Sequence, residues 1–599
     1  MSFLQNLFSS FKRVVSVRRC FGGALTALLL AAPGAHAESA PPVASTDTPP
    51  QVVFEVILGE IALKRDKPQV ALAAYADLAL KYNDPDIFKR TLELAAINRR
   101  PELMLETARL WAEREPESAD ALSALSGMQI LAGQYAAAAP VLTRYLALLP
   151  PDQRSKAFLQ LPQRFPPQAD PKLAQALVDS VTAPYLSLSS AQLARAQMAL
   201  RAGDATGSLA AVRNVRRAEP DSESAALLEA QILSGQSPEA VLTIFAEFLA
   251  GHPNAATIRA LYAQQLLSMG RLSEARAQVV QLLAMTTVAP EPLFAAAAVA
   301  VQAQAPDLAV QALNRLLAVE SIDTALIQYN LGLAYEAQAD LDRTRPGEGS
   351  AATVAEAEAI MHYQQVARGD YLVPSRLRAA SLMARRGNLD GARTLLQSTS
   401  VTDASARTEL RIGEATLLSE HGDKKAALQL LERAVSKDPK NVTLRYELGM
   451  MAERLGRMDL FERSMRTVIQ QDPKYAQAYN ALGFTFVDRN ERLKEARALI
   501  EKALALAPND PFILDSMGWL AYREKQFDTA LDYLNRAAAL RADPEIVAHQ
   551  VAVLQAMGRH GDARAVWQAG VQRFPDNAVL KALGNTMKPA GVTPGHQDL

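Results

Sequence analysis

A single cysteine, Cys20, is present in 599 residues, and it lies among the first 37. A chain with no second cysteine forms no internal disulfide and no multi-thiolate metal site, so its stability rests on packing. Aromatic residues are also scarce, at 6% with three tryptophans, although 49% of the chain is hydrophobic. Alanine and leucine supply most of that fraction. This mixture suits packed helices better than a sheet, which draws on β-branched and aromatic side chains. Charge of one sign is lacking too: 63 basic residues balance 64 acidic ones, which leaves no electrostatic case for nucleic acid. Signatures of chemistry are missing as well. There is no Gly-x-Ser-x-Gly, no Walker A loop and no His-Glu-x-x-His, and Gly347-x-Gly349-x-x-Ala352 has no preceding strand to make it a dinucleotide fingerprint. The seven histidines are scattered; His549 and His560 share the terminal stretch but sit across a turn, and read as surface or helix-end residues. Glu491, Glu495 and Glu501 alternate with Arg492, Lys494 and Lys502 as on any solvated helix face. The expectation is a non-enzymatic chain with no cofactor and no metal.

The first 37 residues form a separate segment. They hold no acidic residue, carry Lys12, Arg13, Arg18 and Arg19, run apolar from Phe21 to Ala32 and end Ala35-His36-Ala37. This is the pattern of a cleavable signal peptide cut after Ala37, and the apolar run is too short to span a membrane. Arg18-Arg19-Cys20-Phe21 loosely resembles a twin-arginine motif, so the general secretory and twin-arginine routes both stay open. Val17-Arg18-Arg19 ahead of Cys20 is not a lipobox, which needs leucine and small residues there. Without the leader, 59 basic residues face 64 acidic ones, a net charge of −5. The expected product is periplasmic.

Beyond the leader, alanine returns about every 34 residues, at Ala240, Ala275, Ala309, Ala392, Ala427, Ala496, Ala530 and Ala563. A small residue precedes this position by about a dozen residues, as at Gly449, Gly483 and Gly518, with Gly332 further off because of an insertion. A glycine lies between them (Gly133, Gly203, Gly270, Gly387, Gly422, Gly456, Gly558), and about a dozen residues later comes a proline (Pro150, Pro253, Pro439, Pro473, Pro508, Pro575). Each unit reads helix, glycine turn, helix, proline stop, because glycine takes positive φ cheaply and proline cannot continue a helix. The small residues let the facing backbones approach. A fixed period of this length marks a stacked-repeat solenoid.

These residues resemble the tetratricopeptide-repeat (TPR) family, most clearly in YNALGFTFVDRNERLKEARALIEKALALAP, Tyr479 to Pro508, which carries one extra residue in its turn. The resemblance implies an all-α superhelical solenoid of about fifteen αα-hairpins whose first helices line a groove for a peptide or partner helix. Carried over residue by residue, that groove contains Tyr446 and Met450, then Gln477, Asn480, Phe484 and Asp488, then Phe512, Asp515, Trp519, Tyr522 and Arg523. Trp519 and Phe484 are read either as exposed anchors or as packing on the neighbouring helix. The lysine and asparagine of a carboxylate clamp are absent. The C-terminal run from Asn480, with DPEIVAHQVAVLQAMGRHGDARAVW after it, resembles the periplasmic TPR adaptor of a carboxyl-terminal processing protease. It implies protein partners, a periplasmic serine protease and peptidoglycan hydrolases, with no nucleic acid and no membrane span. A second reading is an assembly protein for exported polysaccharide or outer-membrane complexes.

The expected organisation is a signal peptide at 1–37, a proline-rich linker at 38–51, an N-terminal arm at 52–184 whose last unit is degenerate, a main array at 185–575 and a C-terminal cap and tail at 576–599. Three interruptions stand out. Asp152 to Pro184 loses the pattern, as an eroded repeat or as a joint between two arms; about 340–353, DLDRTRPGEGSAAT, reads as a loop insertion; and Phe461 replaces the alanine after Ala427, which should splay that hairpin.

Overall fold

The computed structural model describes residues 49–319 and 322–586. The expected signal peptide, the linker residues 38–48 and the tail beyond 586 lie outside the described residues. Among the described residues the fold is all-α: 31 α-helices, two short 3-10 helices and no strand. A regular unit is a pair such as Val442–Arg454 with Met458–Gln471, or Pro511–Arg523 with Phe527–Leu540. Fifteen such pairs and a closing helix, Ala578–Thr586, account for the described array. Helix Pro50–Lys64 opens it, starting slightly earlier than the expected end of the linker.

The turns form for the reasons written in the sequence. All seven turn glycines take positive φ, between 71° and 92°, and the chain closes each helix end with backbone bonds. At Gly456 its N–H donates to Glu453 O at 2.8 Å and Arg457 N–H to Ala452 O at 2.8 Å. Units without a glycine adopt the same geometry at Asp66, Arg99, Gln304, Asn490 and Lys525, with φ of 55° to 63°. Second helices end at Leu148, Gly251, Lys437, Gln471, Leu506 and Arg573, each two residues before its proline.

Close approach within a hairpin is seen at the small residues. A Cβ on Gly518 would stand 3.1 Å from Ala530 O, and one on Gly483 would stand 3.1 Å from Ala496 O. The recurring alanines from Ala275 onward are fully buried, but Ala240 is only half-buried and Val241, at 3% exposure, takes the helix-facing position. The register there is one residue later than the alanine suggested, in step with Pro253.

The interruptions resolve differently. At Gly449 the facing carbonyl, Phe461 O, is 3.7 Å from a Cβ position, so the expected splay amounts to a few tenths of an ångström while the Phe461 ring is buried at 1% exposure. The expected loop at 340–353 is mostly helix: Thr324–Thr344 and Gly349–Gln365 run 21 and 17 residues and leave only Arg345–Glu348 as the turn. Ala339, Ala352 and Ala355 are buried, and Arg343 pairs with Glu356 across the hairpin, so the extra residues extend both helices. Residues 151–185 form helices Pro151–Gln160 and Pro171–Thr182 with two 3-10 turns. Phe158, Leu161, Leu177 and Val181 share one core with Leu142 and Leu146 before them and Ala194 and Met198 after them.

Two compact units divide between Val366 and Ala367. Each unit has a relay of overlapping apolar clusters instead of one centre. In the first, successive clusters run from Val52 to Met128, Ile130 to Met198, Leu193 to Ile232, Ala226 to Ile258 and Leu242 to Ala334; in the second, from Val373 to Leu417 and Ala415 to Leu520. That is the core of a solenoid, lengthened by each hairpin without being thickened.

Candidate partner-binding groove

Four successive first helices of the second unit carry the site: Val442–Arg454, Ala476–Asp488, Pro511–Arg523 and Pro544–Ala556. On each, one stripe (Leu448, Leu482, Leu514 and Leu520, Ile546) is buried toward the second helices, and a neighbouring stripe carries the groove residues. Caps hold two of the helices in place: Asp510 accepts from the N–H groups of Phe512 and Ile513 at 2.9 and 3.3 Å, and Asp543 from Glu545 N–H at 2.9 Å.

At the start of the groove Tyr446 is half-buried, with its ring 5.4 Å from that of Tyr475. Burial, reinforced by Tyr475 and Glu447, pushes its phenol up to about 12. Met450 is half-buried beside it, and burial also raises the Glu447 carboxyl. On the next helix Gln477 and Asp488 are exposed, while Asn480 and Phe484 are half-buried.

The densest part follows. The Trp519 ring stacks on Tyr522 at 4.7 Å and on His549 at 4.2 Å, with interplanar angles of 16° and 17°. Arg523 lies over the Trp519 ring at 5.1 Å and donates from Nη2 to Asp488 O at 2.9 Å. His549 Nδ1–H donates to both Asp515 oxygens at 2.9 and 3.0 Å, and Asp515 is buried at 6% exposure. Asp515 therefore orients the imidazole instead of lining the groove. Phe512 stands at the rim, 45% exposed, with Arg541 over its ring at 4.9 Å. Burial raises the Glu545 carboxyl; His549 opposes this, and Asp515, Asp543 and Asp488 add to it.

One contact fixes the curvature of this stretch. The Phe484 and His549 rings are 6.2 Å apart, although helix Pro511–Arg523 stands between the helices that carry them. Side chains two units apart meet only on the side toward which a stack bends, so here the first-helix face is the inner one. Three buried polar atoms on it, Trp519 Nε1, Asn480 Oδ1 and Arg523 Nε, have no hydrogen-bond partner among the described residues. Each such atom costs on the order of 1–3 kcal/mol until it finds one.

The residues expected to line a groove lie on four successive first helices, and Trp519 and Phe484 combine both expected placements: each is half-buried and each has its ring beside that of His549. His549, expected at the surface or a helix end, is instead mostly buried within helix Pro544–Ala556 and paired with Asp515; Glu545 and Tyr475 were not singled out. The signal for His549 was present, since it follows Asp515 by 34 residues and occupies the same place in the next unit.

Among the described residues no group of three or more histidine, cysteine or carboxylate side chains is placed to hold a metal, and no helix is long and apolar enough to cross a membrane. The arrangement offers ring faces, donors and carboxylates along a curved surface, which is equipment for holding a polypeptide.

Comparison with known proteins agrees on the repeats. The tetratricopeptide-repeat family model matches residues 412–476 and 462–511. TPR repeat-containing protein PA4667 of Pseudomonas aeruginosa is 36% identical over 193 residues, 32% of this chain and 33% of that protein. Protein O-mannosyl-transferase TMTC1 of Homo sapiens is 24% identical over 160 residues, 26% of this chain and 18% of that protein. The chain thus spans a third or less of the length of these curated relatives. Among solved structures, yeast Tom70 is similar at 13% identity and a TM-score of 0.37, over 73% of this chain and 95% of that one. Residues 412–511, which carry the first half of the groove, are tetratricopeptide repeats, and the hairpins on either side of them are built in the same way.

Proposed function

We propose that the chain is a non-catalytic scaffold that holds a segment of a protein partner on the inner face of residues 442–557. The observation that carries this reading is the run of rings along that face, from Tyr446 and Tyr475 through Phe484 and His549 to Trp519 and Tyr522, rimmed by Asp488 and Glu545. Rigid aromatic anchors beside polar groups are the composition of binding hot spots, and a flexible methionine such as Met450 adapts to the shape of its ligand. A TPR array in general mediates contacts between proteins. The more specific reading, that it works in the periplasm as adaptor for a carboxyl-terminal processing protease acting on peptidoglycan hydrolases, draws its support from the leader-like residues 1–37 and from the C-terminal resemblance. Its physical basis would be effective concentration: holding protease and substrate on one scaffold makes their encounter intramolecular.

Crosslinking in intact cell envelopes followed by mass spectrometry should recover both partners. Added to the purified pair, the protein should accelerate degradation, and Trp519→Ala with Tyr522→Ala should weaken partner affinity about tenfold or more while leaving helicity unchanged. An unchanged degradation rate on addition would refute the adaptor role. Unchanged affinity in the double variant, together with a lowered Tm, would return the two rings to the core.

A further inference from the structure

Helix Pro50–Lys64 has apolar side chains on both its inward and its outward face. Val52, Val56 and Ala62 are buried inward, while Phe54, Ile57, Leu58 and Ile61 are 65%, 51%, 42% and 44% exposed. Their spacing of three and four residues places these side chains on one stripe. In later hairpins the second helix of the preceding unit packs on the first helix, as Pro68–Lys81 does on Pro85–Ile97. Helix Pro50–Lys64 has no such neighbour among the described residues. A helix that is apolar on both faces belongs in an interior, and the end repeat of a soluble stack needs a polar outer face.

If residues 1–37 leave on export, Glu38 to Pro49 remain ahead of the helix. That segment contains three prolines and, apart from alanine, a single aliphatic residue, Val43, too little apolar surface to cover four large side chains. The stripe itself bears no charge. The two carboxylates of the helix are already engaged inward, Glu55 with Lys81 at 3.9 Å and Glu60 with Arg90 at 3.0 Å and the Tyr75 hydroxyl at 2.9 Å. Lys64 is exposed at the C-terminal end of the same face, so a second copy packed antiparallel keeps the two lysines at opposite ends and meets the stripe without like-charge repulsion, and an apolar seam repeating at three and four residues is the pattern by which two helices pair.

We propose that this stripe is a homodimer seam, with helix Pro50–Lys64 of a second copy packed on it about a twofold axis. Four side chains make a small interface beside the roughly 800 Å² per partner of a stable complex, so the dissociation constant should be about 10 µM. The test is sedimentation velocity on the full chain, produced with its leader and recovered after export, at about 1 to 100 µM. The mass should double across that range, and Ile57→Lys with Leu58→Lys should shift the midpoint at least tenfold without loss of helicity. Because the chain beyond the leader has no cysteine, Leu58→Cys should form a disulfide-linked dimer on oxidation, whereas Val280→Cys, equally exposed elsewhere, should not. A monomer at all concentrations, whatever else covers the stripe, overturns the proposal. So does a dimer that the double variant retains, or equal crosslinking at both cysteines.

Discussion

Two glycines in equivalent places should respond to alanine with different outcomes. Each replacement gains about 1 kcal/mol of helix propensity and adds a methyl group to a helix interface, where overpacking costs about 1–3 kcal/mol. At Gly518 the new Cβ would lie 2.7 Å from Leu534 Cγ, 2.9 Å from its Cδ2 and 3.1 Å from Ala530 O. Leu534 is fully buried, its Cγ is the branch point and not a free end, and the carbonyl moves only if the hairpin opens. The cost falls in the upper part of the range, and Gly518→Ala should destabilise by about 1–2 kcal/mol net. At Gly449 the nearest atom is the terminal Cε of Met465, Ser464 Cβ is 3.1 Å away and the facing carbonyl is at 3.7 Å. A methionine end swings aside, so propensity and crowding cancel to within about 0.5 kcal/mol. Because a stack of repeats opens locally, a single global unfolding energy is the wrong observable. Amide hydrogen exchange read separately over 442–471 and 511–540 is the right one. Protection should fall about tenfold for Gly518→Ala in its own hairpin and hold for Gly449→Ala, since 1.4 kcal/mol corresponds to a factor of ten. Equal losses at the two sites would refute the idea that the carbonyl distance sets the cost.

Lys525 holds a left-handed turn with φ of 63°; Lys525→Gly should stabilise by about 0.5–1 kcal/mol net, read as greater exchange protection, and a loss would mean the lysine side chain is needed there. Hydrogen bonds from Arg492, then Arg466, lower the Glu462 carboxyl to about 2 from 4.5. A depressed carboxyl stabilises above its unfolded pKa and loses that contribution as pH falls through the folded value. The Tm gap between the native chain and Arg492→Ala should accordingly be present above pH 4.5 and close toward pH 2; a gap independent of pH would assign the effect to packing. Glu545 has the opposite sign, because burial raises it and its stabilising contribution is lost as pH rises through the folded pKa. Glu545→Gln should thus raise Tm at pH 7 and leave it unchanged below about pH 4, and a lower Tm at pH 7 would contradict the stated cause.

Legibility in the sequence followed the physics of each feature. Gly133, Gly203, Gly270, Gly387, Gly422, Gly456 and Gly558 announced their turns because only glycine takes positive φ without strain, and all seven do so. Arg99 and Lys525 take the same conformation with nothing in their identity to say so; there the stacking of the flanking helices decides. Ala240 misled because alanine serves on both faces of a helix, so that a one-residue slip to Val241 leaves the pattern looking intact. The helix on which each groove candidate sits follows from its place in the repeat, but its contacts do not. That Asp515 is buried under His549, and that Phe484 reaches His549 across a whole unit, depends on the curvature of the stack, which no single unit encodes.

The three interruptions of the period are spent on packing. Asp340 to Thr353 extends a hairpin in which Tyr335 stacks on His362 at 5.3 Å and His362 Nδ1 meets Gln328 Oε1 at 2.6 Å, within a buried pair. Asp152 to Pro184 fills the core between its neighbours, and the Phe461 ring is absorbed with little opening of its hairpin. The ring-lined inner face runs over 442–557, where first helices of 13 residues alternate with second helices of 14 even across Phe461 and the extra turn residue before Leu493. A solenoid presents a continuous surface only where successive hairpins keep the same rise and turn, and a ligand that spans several units requires that constancy. Regularity of the small residues Gly483, Gly518, Ala496 and Ala530 is therefore a condition of the groove as well as of the fold, and a change that opens one of those hairpins should weaken binding even where it touches no groove residue.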